Sequence, residues 1–122
     1  MMDSRPGKGR LSESVAADFL KDQGLVIVAQ NVRCPLGEID LVARHDNTHV
    51  FVEVKSRFAS GRGLPQESVT WAKRKRLTRL AQWYIKQHRL HQQPARFDVI
   101  AITWQGNEPS IQWIPNAFEA TL

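Results

Sequence analysis

Two short segments of the chain, residues 37–42 and 50–55, alternate apolar and polar side chains. A period of two is typical of a β-strand with one apolar and one polar face, so we expect both segments to be half-buried strands. The apolar face would hold Ile39, Leu41, Val52 and Val54. The polar face would hold Glu38, Asp40, Glu53 and Lys55.

The residues between these strands predict how the strands pair. Asp46 and Asn47 tolerate left-handed backbone and can form the centre of a tight hairpin. A turn there pairs Leu41 with Val52, and it sets Asp40 opposite Glu53 and Glu38 opposite Lys55. Since directly opposed like charges destabilise a sheet, two facing carboxylates need a cation or a proton.

A divalent metal ion would satisfy this pair, because Mg²⁺ is held through one or two protein carboxylates and completes its shell with water and phosphate oxygens. Lys55 shares the polar face with Glu53 and could reach the same phosphate. Paired acids with a lysine can hydrolyse a phosphodiester bond. The competing interpretation is an ordinary solvated strand face, since short motifs of this kind often occur by chance.

The motifs in residues 37–42, 50–57 and 96–100 resemble those of the YraN-like family of small bacterial proteins, within the PD-(D/E)xK nuclease superfamily. The resemblance covers about residues 9–102. It implies a restriction-endonuclease-like fold similar to that of archaeal Holliday junction resolvases. It places Asp40, Glu53 and Lys55 at the active-site positions of the superfamily. Glu13 matches the position of the helical acidic residue of the resolvases. Ile39 departs from the pattern, which often has proline before the aspartate.

The resemblance implies an endodeoxyribonuclease that uses Mg²⁺ or Mn²⁺, with Asp40, Glu53 and the backbone carbonyl of Val54 as metal ligands. Branched or damaged DNA as substrate, roles in repair and recombination, and a homodimer follow from the same analogy. The alternative is a non-catalytic nucleic-acid-binding accessory protein acting in repair, recombination or DNA uptake. Glu13 could instead be a first-turn acid stabilised by the helix dipole. Glu38 could ligate a second metal ion, but a cross-strand ion pair with Lys55 is favoured.

The charge balance favours a nucleic-acid partner. The formal charge is +5, and basic residues cluster in and before one helix. The candidate phosphate-binding residues are Arg57, Arg62, Lys73, Arg74, Lys75, Arg76 and Arg79. A solvated helix face would explain most of them equally well. Lys73 is different because it falls within the apolar stripe, where it must snorkel, pair with an acid or reach a phosphate.

The remaining periodicity predicts the order α-β-β-β-α-β-β and an α/β fold with a mixed central sheet flanked by helices. Helices are expected at 11–23 and 67–90, and we expect the acidic pair at one edge of the sheet's polar face. Further strands are predicted at 25–32, at 96–104 with Asp98 paired to Arg96, and at the edge segment 110–114. Domain boundaries follow as a flexible basic tail at 1–10, one domain at 11–115 and a C-terminal tail at 116–122.

Targeting and redox signals are sparse. No apolar run approaches the ~20 residues of a membrane helix, and the basic N-terminus precedes no apolar segment. Cys34 is the only cysteine, which excludes an internal disulfide and a cysteine-rich zinc site. We therefore expect a cytoplasmic protein with no membrane association.

Overall fold

A computed structural model describes residues 5–59 and 70–120. Its elements are, in chain order, α1 (Arg5–Asp22), β1 (Val26–Cys34), β2 (Gly37–His45), β3 (Thr48–Phe58), α2 (Trp71–His88), β4 (Ala95–Gln105) and β5 (Glu108–Phe118). The predicted element order and the α/β fold class are confirmed.

The five strands form one mixed sheet in the order β1-β2-β3-β4-β5. Only the central pair, β3 and β4, is parallel. Helix α2 lies between these two strands in the sequence, as a parallel connection requires. β3 is thus the middle strand, and the expectation that the acidic pair lies at one edge of the sheet is wrong.

The helices cover opposite faces of the sheet. Leu41 and Val52 pack with α1, whereas the next residue of β2, Val42, and the preceding residue of β3, Phe51, pack with α2. Because successive strand residues point to opposite faces, both faces are buried here. The prediction of half-buried strands is therefore wrong for the centre of β2 and β3. Ile39, expected on the face of Leu41, belongs to the α2 cluster.

The predicted hairpin between β2 and β3 is confirmed. His45 pairs with Thr48 across the turn, and Asp46 adopts a left-handed φ of 56°. The predicted register is observed from the turn as far as Leu41 and Val52. The predicted cross-strand pairing of Asp40 with Glu53 is wrong, because the ladder ends at Leu41 and Val52. Turn chemistry and the apolar pattern therefore agree on a single alignment of the two strands.

Element boundaries differ from prediction at several ends. α1 begins at Arg5 instead of Leu11, so the described residues of the predicted tail, 5–10, are helical. α2 begins after Thr70, whose hydroxyl accepts a hydrogen bond from the Lys73 amide at 3.2 Å. The predicted helical residues 67–69 lie outside the described residues. β5 continues beyond Pro115 to Phe118.

The two edge strands differ in character. β5 carries Pro109 and Pro115, which lack an amide donor. β1 contains no proline and exposes Val26 and Val28 by 50% and 44%.

Neither α1 nor α2, the helices within the described residues, has the length and apolar character needed to cross a membrane.

Asp98 on β4 ties the last two strands together from a fully buried position. Its carboxylate accepts from Arg96 Nε at 3.0 Å, from Trp113 Nε1 at 2.9 Å and from the Asn116 amide at 2.9 Å. The predicted pairing of Asp98 with Arg96 is confirmed. Asn116 has a φ of 50°, close to a register shift between β4 and β5. The buried charge is fully satisfied and stabilises this irregular end of β5.

We expect Asp98→Ala to lower the free energy of unfolding by about 3 kcal/mol or more, because Arg96 and two N–H donors lose their acceptor. Urea denaturation monitored by tryptophan fluorescence measures the change. Asp22→Ala, at the exposed end of α1, is the control and should change stability by less than about 0.5 kcal/mol. A loss no larger than that of the control would show that Asp98 does not stabilise the fold.

Candidate functional site

The site lies where β2 and β3 separate. Pairing between them ends at Leu41 and Val52. Beyond that point β2 continues to pair with β1, and β3 continues to pair with β4. The Val54 amide, which has left the β2 ladder, donates instead to Asp40 Oδ2 at 2.9 Å. Asp40 is thereby held in the opening between the strands.

Helix α1 brings a second acid to this opening. Ser12 is completely buried, accepts a hydrogen bond from Trp104 Nε1 at 2.8 Å and donates to Ser56 Oγ at 2.8 Å. These contacts fix α1 against the ends of β3 and β4. Glu13 follows directly, so its carboxylate is positioned by the buried residue beside it.

Three carboxylates converge at this point. One oxygen from each of Glu13, Glu38 and Asp40 lies within 4.8 Å of the other two. Since α1 begins at Arg5, Glu13 is beyond the first turn, and the helix-dipole explanation for this acid is wrong. The structure thus brings together the helical acid and the strand aspartate that the sequence motifs singled out.

Asn31 on β1 connects two of these acids. Its Nδ2 donates to Glu13 Oε1 at 2.7 Å and approaches Glu38 Oε1 at 3.4 Å. The backbone of Asn31 is left-handed, with a φ of 52°. Sequence analysis missed this residue, because a single left-handed position inside a strand leaves no mark on the apolar periodicity.

Glu53 is neutralised by two lysines on the other side of the opening. Its Oε2 lies 2.7 Å from Lys73 Nζ and 3.2 Å from Lys55 Nζ. Only 11% of the Glu53 side chain is exposed. Lys73 comes from the first turn of α2, so this lysine of the apolar stripe has found an acidic partner. The expected pairing of Lys55 with Glu38 is wrong, because the strands diverge before those positions face each other.

Asp40 lies in an environment that disfavours its ionised form. Burial, together with the negative charges of Glu53, Glu13 and Glu38, raises the pKa of Asp40 to about 7. The hydrogen bond from the Val54 amide lowers this pKa but does not outweigh the other effects. Among the residues that the structure describes, no lysine or arginine forms an ion pair with Glu13, Glu38 or Asp40. These carboxylates therefore form a site that favours a cation.

The basic residues predicted to bind nucleic acid fall into separate groups. Lys73 is paired with Glu53, and the Arg74 guanidinium lies 5.6 Å from the centre of the Phe118 ring. The Lys75 ammonium lies 5.0 Å from the centre of the ring of Trp71, which is 63% exposed. Arg76 and Arg79 are exposed on α2, Arg57 is half-buried on β3, and Arg62 lies outside the described residues. α2 thus presents cations and one aromatic ring at the surface.

These features define a small α/β protein with an acidic cluster at the divergence of two central strands, flanked by lysines. Comparison with known proteins identifies its family. Residues 12–102 match the model of a family described as Uncharacterised protein family UPF0102, and the chain belongs to this family. The predicted YraN-like membership is confirmed.

Full-length relatives support the assignment. A UPF0102 protein of Syntrophotalea carbinolica is 44% identical over 119 residues, covering 98% of this chain and 97% of the relative. A UPF0102 protein of Desulfosudis oleivorans is 43% identical over 122 residues, covering 100% of this chain and 98% of the relative. These comparisons assign a family whose function has not been characterised.

The raised pKa of Asp40 leads to a prediction for the metal-free protein. Between about pH 4 and pH 7 the folded protein binds more protons at Asp40 than the unfolded chain does, because the pKa is about 7 instead of the ordinary 3.8. The free energy of unfolding therefore falls as the pH rises through this window. Asp40→Asn retains an acceptor for the Val54 amide and removes the charge. We expect it to stabilise the protein by about 1–2 kcal/mol at pH 8 and by nearly nothing at pH 4.

Urea titrations at several pH values in the presence of EDTA measure this difference. Asp18→Asn, which removes an exposed charge from α1, is the matched control and should show no comparable pH dependence. An Asp40→Asn variant that is less stable than the wild type at pH 8 would contradict the prediction.

Proposed function

We propose that this protein is a metal-dependent endonuclease that hydrolyses phosphodiester bonds in DNA. One observation carries the proposal. Glu13, Glu38 and Asp40 converge without a neutralising cation, and the ammonium groups of Lys55 and Lys73 lie at Glu53 beside them. Oxygen donors next to fixed cations can hold a metal ion and a phosphate together.

The residues present fit Mg²⁺ or Mn²⁺. The carboxylates offer only oxygen ligands, which these ions prefer. Burial first, and then the negative charges of Glu53, Glu13 and Glu38, raise the pKa of Asp40, and a bound cation would favour its ionised form. Asp40, Glu13 and Glu38 would hold the ion, with Glu53 and the Val54 carbonyl as further oxygen donors. A bound ion would activate water as a Lewis acid and offset phosphate charge.

Lys55 and Lys73 would bind the phosphate and not the metal ion. Lys55 and Lys73 approach Glu53 from β3 and α2. Their ammonium groups can donate hydrogen bonds to phosphate oxygens and stabilise the charge that develops during hydrolysis. Because Glu53 pairs with both ammonium groups, it keeps the two cations close to each other beside the acidic cluster. The exposed Arg76 and Arg79 and the ring of Trp71 extend the binding surface along α2.

A second candidate function is a nucleic-acid-binding protein that does not cut. The paired state of Glu53 favours it, because a carboxylate held by two lysines is a weaker metal ligand than a free one. The motif resemblance to junction resolvases supports the catalytic alternative and extends it to branched DNA and a homodimer. Activity measurements separate the two functions.

We expect the purified protein to cleave labelled DNA in Mn²⁺ or Mg²⁺ and to lose activity in EDTA. Duplex, flap and four-way-junction substrates, resolved on denaturing gels, identify the preferred structure. Asp40→Asn and Glu53→Gln should each reduce the cleavage rate by about 100-fold or more, since each removes a charge at the reacting centre. Asp22→Asn, an exposed α1 variant distant from the cluster, should cleave like the wild type.

The outcomes distinguish the two functions. Salt-sensitive binding without cleavage of any substrate would favour the non-catalytic protein. Cleavage that persists in both variants would place the reacting centre elsewhere. A protein that neither binds nor cuts DNA would contradict both functions.

Metal binding can be tested without activity. Mn²⁺ that binds only the folded protein should raise the melting temperature, with a stabilisation of about 2.7 kcal/mol at a metal concentration of 100 times Kd. In Asp40→Asn this increase should be strongly reduced, and in Asp22→Asn it should be unchanged. An equal increase in all three proteins would show that the ion binds outside the acidic cluster.

A further inference from the structure

A cleft beside the acidic cluster contains two arginines to which neither the motifs nor the comparisons assign a role. It is lined by Gly9, Arg10, Glu13, Asn31, Arg33 and Glu38. Arg10 and Arg33 are both exposed. One comes from α1 and the other from the edge strand β1, so they reach the cleft from two separate elements.

Local geometry places each arginine beside one acid. Arg10 precedes Glu13 by three residues on α1, a spacing that puts two side chains on the same helix face. Arg33 is the cross-strand partner of Glu38 in the ladder between β1 and β2. Directly opposed residues have Cβ atoms only about 5 Å apart. An ion pair is therefore within easy reach of both arginines.

Neither ion pair is formed. Within residues 5–59 and 70–120, Arg10 and Arg33 make no salt bridge with Glu13 or Glu38. The amide of Asn31 occupies the Glu13 carboxylate instead, at 2.7 Å. Glu53, by contrast, forms ion pairs with two lysines. The cleft thus combines carboxylates that are open to a cation with guanidinium groups that are open to an anion.

We propose that Arg10 and Arg33 bind a backbone phosphate of the nucleic acid, adjacent to the phosphate held at the acidic cluster. This inference rests on the proposed function and adds a second contact region to it. The guanidinium group matches phosphate oxygens in a bidentate manner. The neighbouring carboxylates repel a phosphate in the metal-free protein, so the contact depends on a cation at the cluster.

The positions of Arg10 and Arg76 also define a path for the bound nucleic-acid strand. Arg10 lies on α1 and Arg76 on α2, and these helices cover opposite faces of the sheet. Both helices contribute residues where β2 and β3 separate: Glu13 of α1 belongs to the acidic cluster, and Lys73 of α2 pairs with Glu53. A nucleic-acid strand held at both sides would therefore cross the opening of the sheet instead of following either face.

The test compares Arg10→Gln and Arg33→Gln with Arg44→Gln. Arg44 is exposed at the hairpin end of β2, opposite the end that carries Glu38, so this control removes the same charge far from the cleft. Binding of a labelled DNA duplex is measured by fluorescence anisotropy over a range of salt concentrations, with Ca²⁺ replacing Mg²⁺ to hold back cleavage. Each cleft variant should bind about 5-fold more weakly and lower the slope of log K against log salt by about 0.9.

Cleavage kinetics provide a second readout. Both cleft variants should raise KM more than they lower kcat, because the contact lies beside the reacting phosphate. If they match Arg44→Gln in binding, salt dependence and KM while the wild type still cuts DNA, the inference is overturned and the proposed function stands. If the wild type neither binds nor cuts, the proposed function fails and the inference fails with it.

Discussion

The hydrogen bond from the Val54 amide to the Asp40 carboxylate governs the arrangement of the site. A partly buried amide that leaves its ladder needs another acceptor, and here a side chain supplies it. The contact lets β2 and β3 separate inside a continuous sheet without leaving Val54 unsatisfied. It also fixes the Asp40 carboxylate among three other acids, whose repulsion this hydrogen bond only partly offsets.

Most of the fold could be predicted because local signals and apolar periodicity agree. The Asp46-Asn47 turn and the pairing of Leu41 with Val52 specify the same register. Two features could not be predicted in this way. Val42 and Phe51 are apolar residues on the face assigned as polar, and only α2 explains their burial. The first turns of α1 contain Pro6, Gly7 and Gly9, which are typical of a tail.

The acidic residues of the site were predictable, but their partners were not. Asp40 and Glu13 could be identified from strand pattern and family resemblance. The pairing of Glu53 with Lys73 depends on how α2 packs across the sheet, which no spacing in the sequence encodes. The proposed pairing of Glu38 with Lys55 assumed a regular ladder, and the separation of the strands removed that premise. The partners of these side chains could therefore not be predicted where the backbone becomes irregular.

The unequal edges of the sheet determine where a further strand can add. Pro109 and Pro115 remove two amide donors from β5, and the left-handed Asn116 lies close to a register shift near the end of that strand. β1 has no proline, and its exposed valines provide an apolar surface beside the edge backbone, so only the register shift between Ile27 and Ala29 and the left-handed Asn31 interrupt this edge. β-augmentation by an extended peptide, and aggregation during refolding, would begin at β1. A charged residue at Val28 would then improve recovery of soluble protein without touching the acidic cluster.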